Sequence, residues 1–450
     1  MNYVAKENVS TERKILLMRR DASLEITNDG EQRAFGNAAS FTGLANPAGG
    51  TNSSANFAAL TSPTGLIGSA GPAVPAGPIG SANVCGAADI VTTSSVPKVF
   101  LSNDCAFNCA YCGCRRSFEA KERYSTAPRE LAEIAYAQIG KGCPGVFITS
   151  AVFKTPDYTQ ELIIEALRIL RNEMRYGGYL HAKVMPGADP LLIRRTGLYA
   201  NRLSVNIEVA KSEGYALIAK NKSKENILRP MGDISGLVRA AGEERKIFRH
   251  SQFTATSHTT QLMAGSLGED DGTILRLSNA LYKKYSLSRI YYTSYQYRYT
   301  AKGYEDLPLV NTPAWRMHRL YQADRLMQLY GYSVNDIVPD ESEFLLDQNY
   351  DPKAAWALRN MQFFPVEVNA ADREALLRVP GIGVTGAERI LAARRQGRLS
   401  FDALKSLGIS LKRSKHFITC GGKFSGSMSE RVIRYSLSNG AANGQLTLAM

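Results

Sequence analysis

Four cysteines that lie within ten residues are the part of this sequence best suited to chemistry: Cys105, Cys109, Cys112 and Cys114. The first three have the spacing C-x3-C-x2-C and are separated from the apolar run 99–101 by three residues. Three thiolates on one short loop can hold three corners of a 4Fe-4S cluster and leave the fourth iron without a protein ligand. With Cys114 as a fourth ligand, the same loop could instead hold a structural zinc ion or a closed cluster.

The details of the spacing favour the open cluster over the structural site. A C-x-C step is poor zinc spacing, and no second CxxC or His pair follows. The pattern C-x3-C-x-Φ-C, in which the aromatic Tyr111 directly precedes the third cysteine, resembles the motif of the radical S-adenosylmethionine (radical SAM) superfamily. This resemblance implies that the three cysteines bind a 4Fe-4S cluster and that Tyr111 lies beside the adenine. It also implies that the open iron chelates S-adenosylmethionine (SAM), whose reductive cleavage releases a 5′-deoxyadenosyl radical.

Length and composition set the class of protein. The chain has 450 residues and seven cysteines, which is long enough for two or three domains and does not suit a secreted disulfide framework. The only apolar run near the N-terminus, 15–18, is far shorter than a signal-peptide core or a membrane span. We therefore expect a cytoplasmic protein with no membrane segment, in a reducing compartment.

Changes in composition along the chain predict six segments. Between 34 and 97 the only charged residue is Asp89, and Gly, Ala, Ser, Thr, Asn and Pro dominate, so this stretch is expected to be largely disordered. The predicted segments are a charged N-terminal segment (1–33), this low-complexity segment (34–97), a barrel (98–310), a helical connector (311–365), a helix-hairpin-helix module (366–424) and a tail (425–450).

Six strand-like runs alternate with helical patterns after residue 98, which is typical of βαβ units. The runs are 99–103, 145–151, 179–185, 202–209, 253–263 and 289–297. With the resemblance, this pattern predicts an α/β fold, namely a partial (β/α)6 TIM-like barrel followed by an all-α helix-hairpin-helix module. In such barrels functional residues gather at the C-terminal ends of the strands.

The strand ends supply further candidate cofactor-binding residues. Thr149 and Ser150 end the second strand, where the family usually has a glycine-rich turn that holds the amino group of SAM, although the glycines and the acid are absent here. Asn206 and Glu208 alternate with Ser204 onto one face of the fourth strand, where the family commonly binds ribose or carboxylate. A polar layer inside the barrel is the structural alternative for this fourth-strand set.

Two more strands carry candidate contacts. Residues from Met263 to Gly265 lie close to the family's backbone contact with adenine. In the sixth strand, alternation predicts one face of tyrosines, which could stack on a nucleobase or simply favour the strand by packing: Tyr291, Tyr295, Tyr297 and Tyr299.

The C-terminal region has its own motif and charge. The run 366–450 contains 13 Lys or Arg residues against six Asp or Glu residues, out of a net charge of +13 for the chain. The turn Pro380-Gly381-Ile382-Gly383 between two helical patterns resembles a helix-hairpin-helix motif, and 399–417 looks like a second, degenerate hairpin. Backbone N–H groups of such a turn can meet a phosphate; a protein-interaction module is the alternative. The expected nucleic-acid contacts are Gly381, Ile382, Gly383, Arg389, Arg394 and Arg395.

Together these features resemble the bacterial group of DNA modification and repair radical SAM proteins, over about residues 98–424. The resemblance implies an enzyme that uses a 4Fe-4S cluster and SAM to abstract hydrogen from a nucleic acid, most simply DNA, with a reductant such as flavodoxin or ferredoxin. Cys114 is a candidate catalytic hydrogen donor. The alternatives are a DNA-binding protein with a structural or redox-sensing cluster and a radical SAM enzyme that acts on tRNA or protein. A protein partner is also considered.

Overall fold

A computed structural model of the chain describes residues 9–24, 96–118, 122–297, 307–339 and 344–438, with the side chains of 19–24 excepted. Except for 96–97, the low-complexity segment 34–97 lies outside these residues, as do Cys85 and Tyr299. Within the described ranges, no helix is both long and apolar enough to cross a lipid bilayer.

Six parallel strands form one curled sheet in the order β1-β2-β3-β4-β5-β6. The strands are β1 (Lys98–Phe100), β2 (Gly145–Thr149), β3 (Tyr179–Lys183), β4 (Arg202–Ser204), β5 (Ser257–Ala264) and β6 (Arg289–Ser294). The helices of this part are α1 (Thr11–Leu24), α2 (Pro128–Gly140), α3 (Pro156–Arg168, continued by a π-helical turn at Ile169–Glu173), α4 (Pro190–Tyr199), α5 (Glu213–Ile218), α6 (Lys224–Phe248) and α7 (Asp271–Tyr285). This half-barrel confirms the predicted partial TIM-like fold.

The two faces of the sheet differ in polarity. Tyr292 marks the outer face, because its hydroxyl donates to Ser278 of α7 at 3.0 Å and approaches Asp324 at 3.4 Å. The residues that pair with Tyr292 across the sheet, and every second residue along each strand from them, share its face. They are mostly apolar and buried, and they form the core between the sheet and the helices. The opposite, inner face carries most of the polar residues of the strands.

The chain continues into a helical connector and a C-terminal group of short helices, in the same compact unit as the half-barrel. The connector contains α8 (Ala314–Leu329), α9 (Val334–Ile337), α10 (Pro352–Arg359) and a 3-10 turn (Met361–Phe363). The C-terminal part contains β7 (Val366–Glu367), α11 (Arg373–Arg378), α12 (Val384–Ala393), α13 (Phe401–Ser406), α14 (Leu411–Ser414), β8 (Ile418–Cys420), β9 (Lys423–Phe424) and α15 (Glu430–Leu437). Strands β7, β8 and β9 form a small sheet, so this part is not all-α as expected.

The predicted tyrosine face of the sixth strand is wrong. Strand β6 ends at Ser294, so alternation does not continue through the later tyrosines. Tyr295 is fully buried, whereas Tyr297 is 46% exposed. Strand β4 is likewise shorter than expected and ends at Ser204, which leaves Asn206 and Glu208 in the segment that follows it.

Candidate functional site

The cysteine loop follows β1 at the C-terminal edge of the sheet, and one arginine holds its main chain. The guanidinium of Arg123 donates to four backbone carbonyls at 2.6–3.1 Å. The acceptors are Asn103, Cys114, Arg115 and Phe118. Because an unpaired carbonyl in a half-buried loop is costly, this side chain helps to hold both ends of a loop that lacks secondary structure. Backbone N–H groups of Ala106 and Ala110, which donate to Val152 and Ile218, hold the stretch between them.

The thiols of the loop are shielded and receive N–H groups. The backbone N–H of Phe107 donates to Sγ of Cys105 at 3.4 Å, and the N–H of Cys114 donates to Sγ of Cys112 at 3.3 Å. Burial raises the pKa of Cys105, and it raises the pKa of Cys109 to about 12. The metal-free thiols are therefore protonated at neutral pH, and metal binding must displace their protons.

The donor set of the loop fits a cluster better than a single ion. Within the part of the chain that the structure describes, no three His, Cys, Asp or Glu side chains converge as ligands of one metal ion. Cluster thiolates bind different iron atoms, so they need not converge on one point. Six cysteines in the described ranges are free thiols, but Cys143 precedes β2 at the opposite edge of the sheet, and the thiol of Cys420 donates to the carbonyl of Leu399 at 3.0 Å.

A buried ion pair lies beside this loop. Nζ of Lys222 donates to Oε1 of Glu208 at 2.8 Å, and the two side chains are only 10% and 8% exposed. The same Nζ donates to the hydroxyl of Tyr111 at 3.3 Å. Burial opposes ionisation of Glu208, but Lys222, Lys183 and a hydrogen bond from Asn206 outweigh it and lower the pKa of Glu208. The structure thus brings together three predicted cofactor residues, namely Tyr111, Asn206 and Glu208.

Sequence reasoning missed Lys222 and its neighbour Asn221. Both lie in the loop between α5 and α6, where charged and amide residues carry no pattern that marks a site. Oδ1 of Asn221 accepts the backbone N–H of Asn108 at 2.9 Å, so this loop is fastened to the cysteine loop. Only the tertiary contacts reveal its part in the site.

Glu208 is held in an unusual backbone conformation. Its φ is +66°, a left-handed value that costs a non-glycine residue of order 1–3 kcal/mol. Two backbone hydrogen bonds to β5 hold it there: its N–H donates to the carbonyl of Gln261 at 3.0 Å, and its carbonyl accepts from Met263 at 2.8 Å. Such local strain is typical of functional positions, because it fixes the direction of a side chain.

The other predicted strand-end residues surround the same edge. Thr149 and Ser150 are buried where β2 ends, and Oγ1 of Thr149 has no hydrogen-bond partner among the described residues. Met263 is buried in β5 and leads to Gly265, whose φ is +87°. A Cβ on Gly265 would lie 2.1 Å from Oγ1 of Thr312, so this turn requires glycine.

The turn between α11 and α12 faces the connector, which differs from the expected phosphate site. The carbonyl of Ile382 accepts from the buried Nζ of Lys353 at 2.5 Å. A Cβ on Gly383 would lie 3.3 Å from the hydroxyl of Tyr330, which belongs to the connector. Gly381, with φ of +90°, packs against the second hairpin, where its Cβ would lie 2.9 Å from the carbonyl of Ser410.

Two of the three expected phosphate-binding arginines are engaged within the protein. Arg394 donates to the carbonyls of Val368 and Ala371 at 3.1 and 2.5 Å. Arg389 donates to the carbonyl of Leu407 at 3.1 Å and so joins the two hairpins. Arg395 is exposed. It belongs to a set of exposed cations whose side chains form no ion pair or hydrogen bond with any described residue: Arg395, Arg398, Lys405, Lys412 and Lys423.

Residues 99–237 match the family model described as the radical SAM superfamily. No curated protein matches the chain. Solved structures with some similarity include the FeFe-hydrogenase maturase HydG from Carboxydothermus hydrogenoformans, which is 15% identical with a TM-score of 0.38 over 52% of this chain and 52% of that chain. Methylornithine synthase (PylB) is 15% identical with a TM-score of 0.37 over 53% of this chain and 64% of that chain.

A third similar structure is the radical SAM methyltransferase TsrM from Kitasatospora setae, with 13% identity and a TM-score of 0.31 over 44% of this chain and 36% of that chain. The chain spans about half the length of HydG. At TM-scores below 0.5, these likenesses indicate nothing about substrate. The match over 99–237 includes the cysteine loop, Glu208 and Lys222, and it confirms a radical SAM domain in this chain.

Proposed function

We propose that this radical SAM enzyme, identified by its domain at residues 99–237, abstracts a hydrogen atom from a nucleic acid in DNA modification or repair. Radical SAM enzymes use a 4Fe-4S cluster, SAM and an external reductant, for which flavodoxin or ferredoxin is the expected donor here. The observation that supports a nucleic-acid substrate is the set of unpaired, exposed cations on the C-terminal hairpins.

In this proposal Cys105, Cys109 and Cys112 hold the cluster through three of its irons. When bound, the cluster and SAM would supply the 5′-deoxyadenosyl radical that abstracts hydrogen. Glu208 is ionised and directed by its backbone, so it could accept hydrogen bonds from the ribose hydroxyls of SAM. Lys222 keeps that carboxylate ionised and also positions Tyr111 through its hydroxyl.

The C-terminal part would grip the sugar-phosphate backbone through side chains more than through turn amides. The turn at Ile382 already binds Lys353 of the connector, whereas Arg395 and Lys405 are exposed and have no partner among the described residues. Phosphate contacts by Lys and Arg supply affinity without sequence readout. We therefore expect weakly sequence-dependent binding that falls steeply with salt.

Two measurements on the full chain test this function. The first is conversion of SAM to 5′-deoxyadenosine by anaerobically reconstituted, dithionite-reduced protein. Because SAM can be cleaved without substrate, this assay separates the enzyme from a DNA-binding protein with a structural or redox-sensing cluster. Failure to form 5′-deoxyadenosine with a fully loaded cluster would favour the latter.

The second measurement is fluorescence anisotropy with a labelled DNA duplex at several salt concentrations. The double variant Arg395→Gln/Lys405→Gln should bind more weakly, with a salt slope smaller by about 0.9 for each phosphate that is no longer neutralised. The control is Lys246→Gln, which removes an exposed cation from α6. If the double variant and the control bind the duplex with equal affinity and equal salt slope, Arg395 and Lys405 do not contact the nucleic acid. Parallel titrations with tRNA distinguish DNA from RNA.

A further inference from the structure

The inner face of the half-barrel carries every charged residue of its six strands, and all of them are cations. The strands contain no Asp or Glu, and their four cations are Lys98, Lys183, Arg202 and Arg289. Strand pairing places all four on the face opposite Tyr292. Chance placement or solubility does not explain a concave face of one charge sign, since each cation raises the cost of the next.

Register divides these residues into two rows across adjacent strands. The lower row is Lys98, Phe147, His181, Arg202 and Ser257. The upper row, nearer the cysteine loop, is Phe100, Thr149, Lys183, Ser204, Thr259 and Arg289. No carboxylate of the described residues forms an ion pair with Lys183, Arg202 or Arg289. The charge of Lys183 acts on Glu208, which is already paired with Lys222, and the charge of Arg289 acts on Asp324 of α8.

Buried polar atoms without partners lie in the same rows. They are Nε2 of His181, Oγ1 of Thr149, Oγ of Ser204 and Oγ1 of Thr259. All four side chains are more than nine-tenths buried. A buried polar atom without a hydrogen bond costs roughly 1–3 kcal/mol, so four in one patch indicate donors reserved for a ligand.

His181 is fixed as a neutral donor or acceptor in this patch. Its ring stacks on Phe147 with centroids 3.8 Å apart and an angle of 8° between the planes. Burial is the main cause that lowers the pKa of His181, and the charges of Arg202, Lys98 and Lys183 lower it further. The imidazole therefore adds a hydrogen bond to the patch and no charge.

We propose that these two rows bind the phosphate group of a single nucleotide of the substrate, through Lys183, Arg202, His181 and the hydroxyls of Ser204 and Thr259. Two cations with several hydroxyl donors match the charge and the acceptor oxygens of a phosphate. That the phosphate belongs to a nucleotide rests on the proposed function. Enzymes that react with a base take it out of the stack, so one extruded nucleotide would enter the half-barrel while the hairpins hold its neighbours.

The test is calorimetric titration of the full-length, cluster-loaded protein. The probes are the four common deoxynucleoside 5′-monophosphates, the matching nucleosides without phosphate, and inorganic phosphate. The variants are Lys183→Gln, Arg202→Gln and the charge-keeping Arg202→Lys, with Lys246→Gln as the control on α6. Iron content and melting temperature show that each variant is folded and loaded.

At least one monophosphate should bind tenfold or more tightly than its nucleoside. Lys183→Gln and Arg202→Gln should each lower the affinity for that monophosphate by about tenfold to a hundredfold. Arg202→Lys should lose less affinity than Arg202→Gln, and the control should bind it as tightly as wild type. The inference is overturned if monophosphate and nucleoside bind equally, or if Lys183→Gln and Arg202→Gln bind the monophosphate like wild type. Inorganic phosphate that binds as tightly as the monophosphate would overturn the assignment to a nucleotide.

The phosphate site and the proposed nucleic-acid function can fail independently of each other. Monophosphate binding that depends on Lys183, without any binding of a DNA duplex, would contradict the nucleic-acid function and keep the phosphate site. Duplex binding that depends on Arg395 and Lys405, without monophosphate binding, would do the reverse.

Discussion

Nζ of Lys353 donates a hydrogen bond to the carbonyl of Ile382 at 2.5 Å and thereby joins helix α10 to the turn between α11 and α12. Nζ also lies 4.9 Å from the ring centroid of Tyr330. Two further ion pairs join the connector to the C-terminal helices: Asp336 with Arg378 at 3.3 Å, and Asp351 with Arg413. The C-terminal helices are therefore packed on the connector through buried polar contacts, so point variants test their role more cleanly than truncation.

Burial lowers the pKa of Lys353 to about 7, which predicts a pH dependence of stability. Between this value and the ordinary lysine pKa of about 10.4, the unfolded chain binds a proton that the folded chain lacks, so the free energy of unfolding should rise with pH through that window. The expected slope approaches 1.4 kcal/mol per pH unit. Urea unfolding at pH 7 and 9 should show this rise in wild type but not in Lys353→Met. Lys246→Met should behave as wild type, and equal slopes in wild type and Lys353→Met would contradict the assignment.

The cluster assignment predicts which cysteines retain iron. After anaerobic reconstitution, Cys109→Ala should lose most of its iron and its ability to cleave SAM, because the loop then offers only two of the three thiolates. Cys143→Ala should keep full iron, since Cys143 lies at the opposite edge of the sheet. Iron per chain is the measurement. Full occupancy in Cys109→Ala would refute the loop as the cluster site, and iron loss in Cys114→Ser would make Cys114 a fourth ligand.

The pair of Glu208 and Lys222 predicts a loss of stability that does not depend on iron. Removing one member of a buried pair leaves an uncompensated charge, which costs roughly 3–5 kcal/mol. Lys222→Met should therefore lower the free energy of unfolding of the metal-free protein by several kcal/mol. Lys246→Met is the matched control, because it breaks an exposed pair with Glu243 and should cost about 1 kcal/mol or less. Similar small losses in both variants would show that Glu208 does not depend on Lys222.

The contact between Gly383 and Tyr330 predicts non-additive effects. A Cβ at Gly383 would crowd the Tyr330 hydroxyl at 3.3 Å, so Gly383→Ala should destabilise the protein by about 1 kcal/mol, whereas Tyr330→Phe removes the crowded atom. Without the hydroxyl the crowding is relieved, and the double variant should lose less than the sum of the two. Chemical unfolding of the four proteins gives the coupling energy. Strict additivity would mean that the turn does not pack on Tyr330 in solution.

Sequence patterns predicted the features that depend on residues close together in the chain. The spacing of Cys105, Cys109 and Cys112 and the alternation of strands and helices identified the radical SAM domain and its half-barrel. Lys222 could not be found this way, because a loop lysine becomes part of a site only through tertiary contact. Strands β7 and β9 have two residues each, too few for any periodicity to appear.

Counting charges predicted a basic C-terminal region, but it did not show which of its cations are available to contact phosphate. Arg394 and Arg395 are neighbours in sequence, yet one binds backbone carbonyls and the other is exposed. Composition records charges and not their partners. The inner-face cations were missed for a related reason: Lys98, Lys183 and Arg202 lie on three different strands, and only strand register places them on one face of the sheet.

Arg123 has a consequence for the lifetime of the enzyme in air. Its four hydrogen bonds to the cysteine loop involve no sulfur atom, so oxidative loss of iron leaves them in place. With the bonds from Ala106 to Val152 and from Ala110 to Ile218, which also involve no sulfur, they should keep the emptied loop in shape. We therefore expect that rebuilding the cluster needs iron, sulfide and reduced thiols without refolding of the chain. The loop thus makes damage by oxygen repairable while its thiols remain reducible.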